Sequence, residues 1–198
     1  ERCEAALGPV GVTEAPDAAG LAACKTHAAG LANISAERIW MEVKKLLAAP
    51  SPLGGVVAMR DAAVAKYVFE TDLNIDRLRR LLDVERTDGA QPDVLLRLIA
   101  LTGPDPHAMR AIARRMKASN EERARLTGPG EVSAPLSYAM DEKELLRIAY
   151  RSGKDAVLDR MRIEWADDPA HDADWEALVR RLAAWERPEA PIRGADVI

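Results

Sequence analysis

The fold of this chain is decided by one stretch, Ile34-Ser35-Ala36-Glu37-Arg38-Ile39-Trp40-Met41-Glu42-Val43-Lys44-Lys45-Leu46-Leu47. Ser35 is a favoured helix N-cap, and Glu37 places a negative charge in the first turn, where the helix dipole stabilises it. An apolar stripe follows at helical spacing and consists of Ile39, Val43, Leu46 and Leu47. The stretch therefore predicts an amphipathic helix over residues 35–48.

The composition of the remaining sequence favours more helices of the same kind. Alanine, leucine, arginine and glutamate dominate, whereas the 198 residues include one phenylalanine and three tyrosines. No stretch shows the alternation that is typical of a strand. The prediction is an all-α fold, an array of roughly nine or ten short-to-medium helices.

Glycine and proline divide the predicted helices into three parts. The first part, residues 1–50, has an irregular start over 1–16 and ends in the helix quoted above. The second part is a helical body over residues 51–127. Gly128-Pro129-Gly130 is the clearest linker signal, and it separates the body from a third part, 128–198, which ends in an irregular tail.

Charge and cysteine content exclude several functional classes. The net charge of −4 gives no overall basic signal, and Cys3 and Cys24 lack the spacing of metal ligands. No apolar run reaches membrane-spanning length, so we expect no membrane association and a cytoplasmic location. The three histidines are far apart, and the aspartates around Pro169 are typical of helix caps, so no metal site is predicted.

The segment 107–126 is the strongest candidate for binding. It contains six basic residues and two acidic residues, Glu121 and Glu122, which gives a local charge of +4. The basic residues are Arg110, Arg114, Arg115, Lys117, Arg123 and Arg125. Three of them, Arg110, Arg114 and Lys117, recur at i, i+4 and i+7 beside an apolar stripe of Met109, Ile112, Ala113 and Met116. Stacked like charges cost stability, so a phosphate backbone is a reasonable partner; a solvated face or pairing with acids on other helices remains the alternative.

A second basic group is diluted by acids. It contains Arg147, Arg151, Arg160 and Arg162 beside Asp155, Asp159 and Glu164, which predicts mainly intramolecular ion pairs. The tryptophans could stack on bases, but the helical spacing of Trp165 and Trp175 favours core packing.

The helix at 35–48 resembles the neck helix of class II CCA-adding enzymes and the related bacterial poly(A) polymerases. Residues 16–24 resemble the family's lead-in to this helix, and 46–50 resemble its exit. Residues 113–123 resemble the family's basic helix and the Ser-Asn start of the next one. Residues 191–197 resemble the Pro-x-x-Gly-x-Asp-Leu start of the tail. Four matches in the right order are more specific than any one of them.

The resemblance implies the neck and body of such an enzyme without its catalytic head. The parent would add CCA or A residues to RNA 3′ ends, with magnesium and CTP or ATP bound by the head. This fragment would hold tRNA through its phosphates, would contain no catalytic residue and would be inactive alone. Ser35, Arg38 and Glu42 would support the nucleotide-binding neck, with Arg38 and Glu42 as an internal clamp; a surface ion pair is the alternative.

A rival hypothesis comes from a different functional class. The chain could be a free-standing helical scaffold that binds a protein partner through an exposed apolar surface. The choice between CCA addition and poly(A) addition stays open, because the residues that decide it would lie in the head and at the start of the neck.

Overall fold

The computed structural model describes residues 18–188, so the expectations for residues 1–16 and 191–197 lie outside the described residues. Within 18–188 the chain forms eleven α-helices and no strand, and the predicted all-α fold is confirmed. The helices are α1 (Ala18–His27), α2 (Ala36–Ala48), α3 (Leu53–Asp61), α4 (Val64–Val68), α5 (Ile75–Asp88), α6 (Val94–Thr102), α7 (Pro106–Arg115), α8 (Asn120–Glu131), α9 (Glu142–Ser152), α10 (Lys154–Asp167) and α11 (Asp172–Ala184). Two 3-10 helices, Ala28–Asn33 and Pro169–His171, join their neighbours.

Side-chain caps determine where many of these helices begin. The Ser35 hydroxyl accepts a hydrogen bond from the backbone N–H of Arg38 at 3.4 Å, as the sequence predicts for the start of α2. The same kind of cap opens five further helices in the described part of the chain, with Asn74, Asp93, Asp105, Ser119 and Asp141 as the capping residues.

Helix α10 lies at the centre of the C-terminal half. It packs against α5, α6, α8, α9 and α11. Trp165 on α10 and Trp175 on α11 are both buried, which confirms that they are core residues. Because α10 contacts helices from the expected second part of the chain, the two C-terminal parts pack together; the three-part division stays a prediction.

The buried face of α2 is rotated from the predicted one. Trp40, Val43 and Leu47 are buried, whereas Ile39 and Leu46 are only partly so. Met41 is 53% exposed, so its side of the helix faces solvent. The rotation brings the Trp40 indole toward α8, where it finds a polar partner.

A buried arginine on α6 joins this helix to the end of α2 through hydrogen bonds. Arg97 and Glu85 are 3% and 5% exposed, and their closest N–O distance is 2.6 Å. The other side of the Arg97 guanidinium donates to the backbone carbonyls of Leu47 and Ala49 at 2.6 and 2.9 Å. These carbonyls have no partner within their own helix, so Arg97 closes the C-terminal end of α2.

The expected linker Gly128-Pro129-Gly130 is wrong, because α8 continues through all three residues to Glu131. The glycines serve close packing there. A Cβ on Gly130 would overlap the carbonyl oxygen of Pro104, and one on Gly128 would lie 3.3 Å from the Ala156 Cβ. The helix therefore needs glycine where it meets the turn before α7 and the start of α10.

The short helix α4 is absent from the sequence-based prediction. It is separated from α3 by Ala63, which has a left-handed backbone with φ of 57°. Neither glycine nor proline marks this break. The structure places α4 against the 3-10 helix at 28–33. No helix within residues 18–188 has the length and apolar character needed to cross a bilayer.

Candidate nucleic-acid interface

Helices α7 and α8 form a hairpin whose outer surface carries most of the predicted binding residues. The predicted apolar stripe of α7 is confirmed, since Met109, Ile112, Ala113 and Met116 are all buried. Helix α7 ends at Arg115, Lys117 follows in the turn with a left-handed backbone and φ of 50°, and α8 begins at Asn120. We call the exposed and half-exposed cations around this turn the basic corner: Arg110, Arg114, Arg115, Lys117 and Arg123.

Two residues of the basic corner have no internal counter-charge. Arg114 and Arg123 are exposed, and neither makes a side-chain hydrogen bond or an ion pair within residues 18–188. Their guanidinium groups are therefore available to an external anion without any contact being broken.

The other three residues of the basic corner are paired at the surface. Arg110 pairs with Glu131 at the end of α8. Lys117 pairs with Glu37 at 2.7 Å, and Arg115 pairs with Glu70 and also donates to the backbone carbonyl of Tyr67. Exposed ion pairs contribute little to stability, so a phosphate can replace such an acid at small cost.

Arg125 has a different position from the other predicted binding residues. Its guanidinium donates to Asp93, the cap of α6, at 2.7 Å and to Asp159 of α10 at 2.5 and 3.0 Å. The hydrogen bond to Asp159 raises the pKa of Arg125 above its usual range. Since its donors already join three helices, we assign Arg125 a structural role and leave it out of the basic corner.

The basic corner contacts the N-terminal helices at two points, and the adjoining first turn of α8 adds a third. Lys117 reaches Glu37 in the first turn of α2, and Arg115 reaches Tyr67 and Glu70 at the end of α4. The hydrogen bond from Lys117 lowers the pKa of Glu37. The third contact is made by Glu122 in the first turn of α8.

The Glu122 carboxylate accepts hydrogen bonds both from the start of its own helix and from α2. Its carboxylate accepts from the Ser119 backbone N–H at 2.8 Å, which completes a capping box. It also accepts from the Trp40 indole at 3.2 Å and from Lys44 Nζ at 2.8 Å. Burial raises the pKa of Glu122, but these hydrogen bonds outweigh it and hold the pKa below its usual value.

The residues predicted to support the neck are only partly brought together. Ser35 caps α2 as expected, but Glu42 pairs with Lys45 at 2.6 Å. No ion pair between Arg38 and Glu42 is found among residues 18–188, and the expected clamp between them stays a prediction. Their role in supporting a neck stays a prediction.

The aspartates near Pro169 make hydrogen bonds to aromatic side chains. Asp168 accepts from His171 at 2.9 Å and from Trp175 at 3.3 Å, and Asp172 accepts from Trp165 at 2.8 Å. Within residues 18–188, no group of three or more His, Cys, Asp or Glu side chains is arranged to hold a metal ion.

Two exposed cations on α1 and α4 are absent from the sequence-based prediction. Lys25 of α1 and Lys66 of α4 are exposed and form no ion pair within the described residues. Both helices pack against the 3-10 helix at 28–33. Lys66 directly precedes Tyr67, whose carbonyl binds Arg115, so it extends the positive surface. No charge run marks either lysine, and only the packing of α1 and α4 reveals them.

Comparison with known families gives one finding. Residues 17–72 match the model of a family described as "Probable RNA and SrmB-binding site of polymerase A". The match includes α1 to α4, and the basic corner contacts two of these helices, α2 and α4. No curated protein matches the chain. Residues 17–72, which contain α2, are thus similar to the RNA-binding region of the poly(A) polymerase family.

Proposed function

We propose that this chain is the RNA-holding region of a nucleotidyltransferase that extends RNA 3′ ends. The observation that carries the proposal is the contact between the basic corner and residues 17–72. The matched segment is itself neutral, with six basic and six acidic residues. The basic corner adds the positive charge that a phosphate backbone requires.

The proposed interface runs from α1 and α4 onto α7 and α8. Cations that form no ion pair within residues 18–188 come from Arg114, Arg123, Lys25 and Lys66. Arg110, Arg115 and Lys117 supply cations that exchange a surface carboxylate for a phosphate. Binding of this kind reads the shape and the backbone of RNA rather than its sequence, which suits an enzyme that acts on many RNAs of one class.

We further propose tRNA as the RNA that is held. This step rests on the resemblance of α2 to the neck helix of class II CCA-adding enzymes and bacterial poly(A) polymerases. The parent enzyme would act in the cytoplasm, and its head domain would bind magnesium and CTP or ATP. Residues 18–188 contain no carboxylate cluster that fits a metal, so we assign no catalytic step to them and expect them to be inactive alone.

Protein binding is the second candidate function. The description of the matched family names SrmB beside RNA, and Met41 lies exposed on α2 within the match. The large apolar side chains that are exposed within residues 18–188 are Met41, Tyr67 and Tyr150, which lie on three different helices. The charges of the basic corner favour RNA over an apolar partner.

The test is a salt titration of binding to a tRNA transcript that lacks CCA. The variant R110A/R114A/K117A removes the predicted stripe. The matched control, R79A/R86A/R180A, removes three exposed arginines that pair only within their own helices. We expect the stripe variant to bind more weakly and to lose about 0.7–0.9 of the log–log salt slope per phosphate contact. Equal binding by both variants at every salt concentration would contradict the proposed interface.

A competition experiment addresses the RNA class. Oligoadenylate of the same length competes with the tRNA transcript for the wild-type chain at constant salt. Preference for the transcript supports a tRNA-holding body, because the recognition would then depend on folded RNA shape. Equal or stronger competition by oligoadenylate would contradict the tRNA assignment while leaving RNA binding intact.

A further inference from the structure

Helix α9 carries a second basic stripe outside the family match. Lys143, Arg147 and Arg151 recur at i, i+4 and i+8, so they lie on one side of the helix over about 12 Å of its length. The opposite side is buried against α10 through Leu145, Ile148 and Ala149. All three cations are exposed.

The three cations of the stripe differ from the other arginines of this region in their pairing among the described residues. The sequence predicts internal ion pairs for this arginine group, and two members confirm this. Arg160 pairs with Glu164 at 2.5 Å, and Arg162 pairs with Asp88 at 2.6 Å. Lys143, Arg147 and Arg151 form no ion pair within residues 18–188.

The acids near the stripe do not neutralise it. Glu142 pairs with Arg181 of α11, and Asp141 caps α9 through the backbone N–H of Lys143. Glu144 and Asp155 are exposed but bind none of the three cations. Stacked like charges on one helix face cost stability, and this cost is recovered when an anion binds.

An exposed aromatic ring lies at the C-terminal end of the same stripe. Tyr150 is 45% exposed and follows Arg147 by three residues, so the two side chains are neighbours on the helix surface. The Arg187 guanidinium lies over the ring, 4.6 Å from its centroid. A flat ring beside a row of cations is the arrangement that proteins use to bind single-stranded nucleic acid, by stacking on a base and pairing with phosphates.

We propose that α9 is a second RNA contact, at which Lys143, Arg147 and Arg151 bind phosphates and Tyr150 stacks on an unpaired base. This contact rests on the proposed RNA-holding function. It is separate from the basic corner, because α9 packs on α10 whereas α7 packs on α8.

The first test removes the charges in the 198-residue chain. K143A/R147A/R151A is compared with R79A/R86A/R180A for binding to the tRNA transcript and to a single-stranded RNA of ten nucleotides. We expect the α9 variant to bind both RNAs roughly tenfold more weakly, with a salt slope reduced by about 0.7 per single-strand phosphate contact. Binding equal to that of the control variant would overturn the α9 contact while leaving the basic corner untouched.

The second test isolates stacking. Y150A should bind the single-stranded RNA several-fold more weakly, whereas Y150F should bind like wild type because phenylalanine retains the ring. Wild-type affinity in Y150A would overturn the stacking role. If the wild-type chain binds neither RNA, the proposed function itself fails. If the α9 variants keep their RNA affinity and lose only the binding of an acidic protein, the stripe is a protein-docking surface and the RNA contact is overturned.

Discussion

The indole N–H of Trp40 lies 3.2 Å from both carboxylate oxygens of Glu122. These residues are 82 positions apart, and the contact joins the helix that resembles a neck to the first turn of α8. Lys44 adds an ion pair to the same carboxylate. This half-buried glutamate therefore helps to fix the orientation of the basic corner relative to residues 17–72, beside the surface contacts of Arg115 and Lys117.

Replacement of Glu122 should destabilise the chain more than an ordinary surface substitution does. E122A removes the capping box and leaves the Trp40 N–H without its acceptor, so we expect a loss of about 1–2 kcal/mol in the free energy of unfolding. Urea denaturation measures this. E121A is the matched control, because Glu121 lies in the same turn and makes no side-chain hydrogen bond within residues 18–188. A loss no larger than that of the control would contradict the linking role.

The same glutamate makes stability depend on pH. The pKa of Glu122 is lowered in the folded chain, so its ionised form contributes stability that is fully present above the unfolded value of 4.5. This contribution is lost as the pH falls through the lower folded pKa. The difference in unfolding free energy between wild type and E122Q should therefore shrink between pH 6 and pH 3. A difference that grows toward acid would contradict the direction of the pKa shift.

The buried pair of Arg97 and Glu85 should show strong coupling. R97M leaves the Glu85 carboxylate buried without a partner and removes the donors to Leu47 and Ala49, so we expect a loss of about 3–5 kcal/mol. R97M/E85L removes both charges and should recover much of this loss. Denaturant unfolding of the two single variants and the double variant measures the coupling. Additive losses would show that the two side chains act independently.

Two glycine replacements should have opposite effects. G130A places a methyl group against the Pro104 carbonyl and should cost about 1–3 kcal/mol, because backbone atoms must shift. Gly54 lies in α3 with nothing near its Cβ position, so G54A should stabilise the chain by up to about 1 kcal/mol. Thermal unfolding compares them. A neutral G130A would contradict the close packing of α8.

Local signals in the sequence predict much of the helical structure. The caps at Ser35 and Ser119 and the apolar stripe of α7 depend on residues within one or two turns, so the sequence is sufficient to locate them. The prediction of a linker at 128–130 is wrong because glycine occurs in proteins for two different structural reasons. It breaks helices by default, but here it permits close contact with Pro104, which is distant in sequence.

Pairing between helices is harder to predict than the helices themselves. The sequence indicates that Arg110, Arg114 and Arg125 belong to one basic segment, yet only the packing of α8 on α6 and α10 distinguishes Arg125 as internal. In the same way, Arg97 lies within a run of apolar residues in the sequence. Its buried ion pair with Glu85 becomes evident only from the packing of α5 against α6. Such contacts depend on tertiary arrangement, which one sequence does not specify.

The most direct test of RNA binding uses the two arginines without an internal partner. R114A/R123A breaks no contact within residues 18–188, so its unfolding free energy should equal that of wild type, and any loss of affinity reports the interface alone. Binding to the tRNA transcript is measured from 50 to 300 mM salt. The account predicts weaker binding and a salt slope lower by about 1.4–1.8 for two lost phosphate contacts. An unchanged affinity and slope in the folded variant would contradict it.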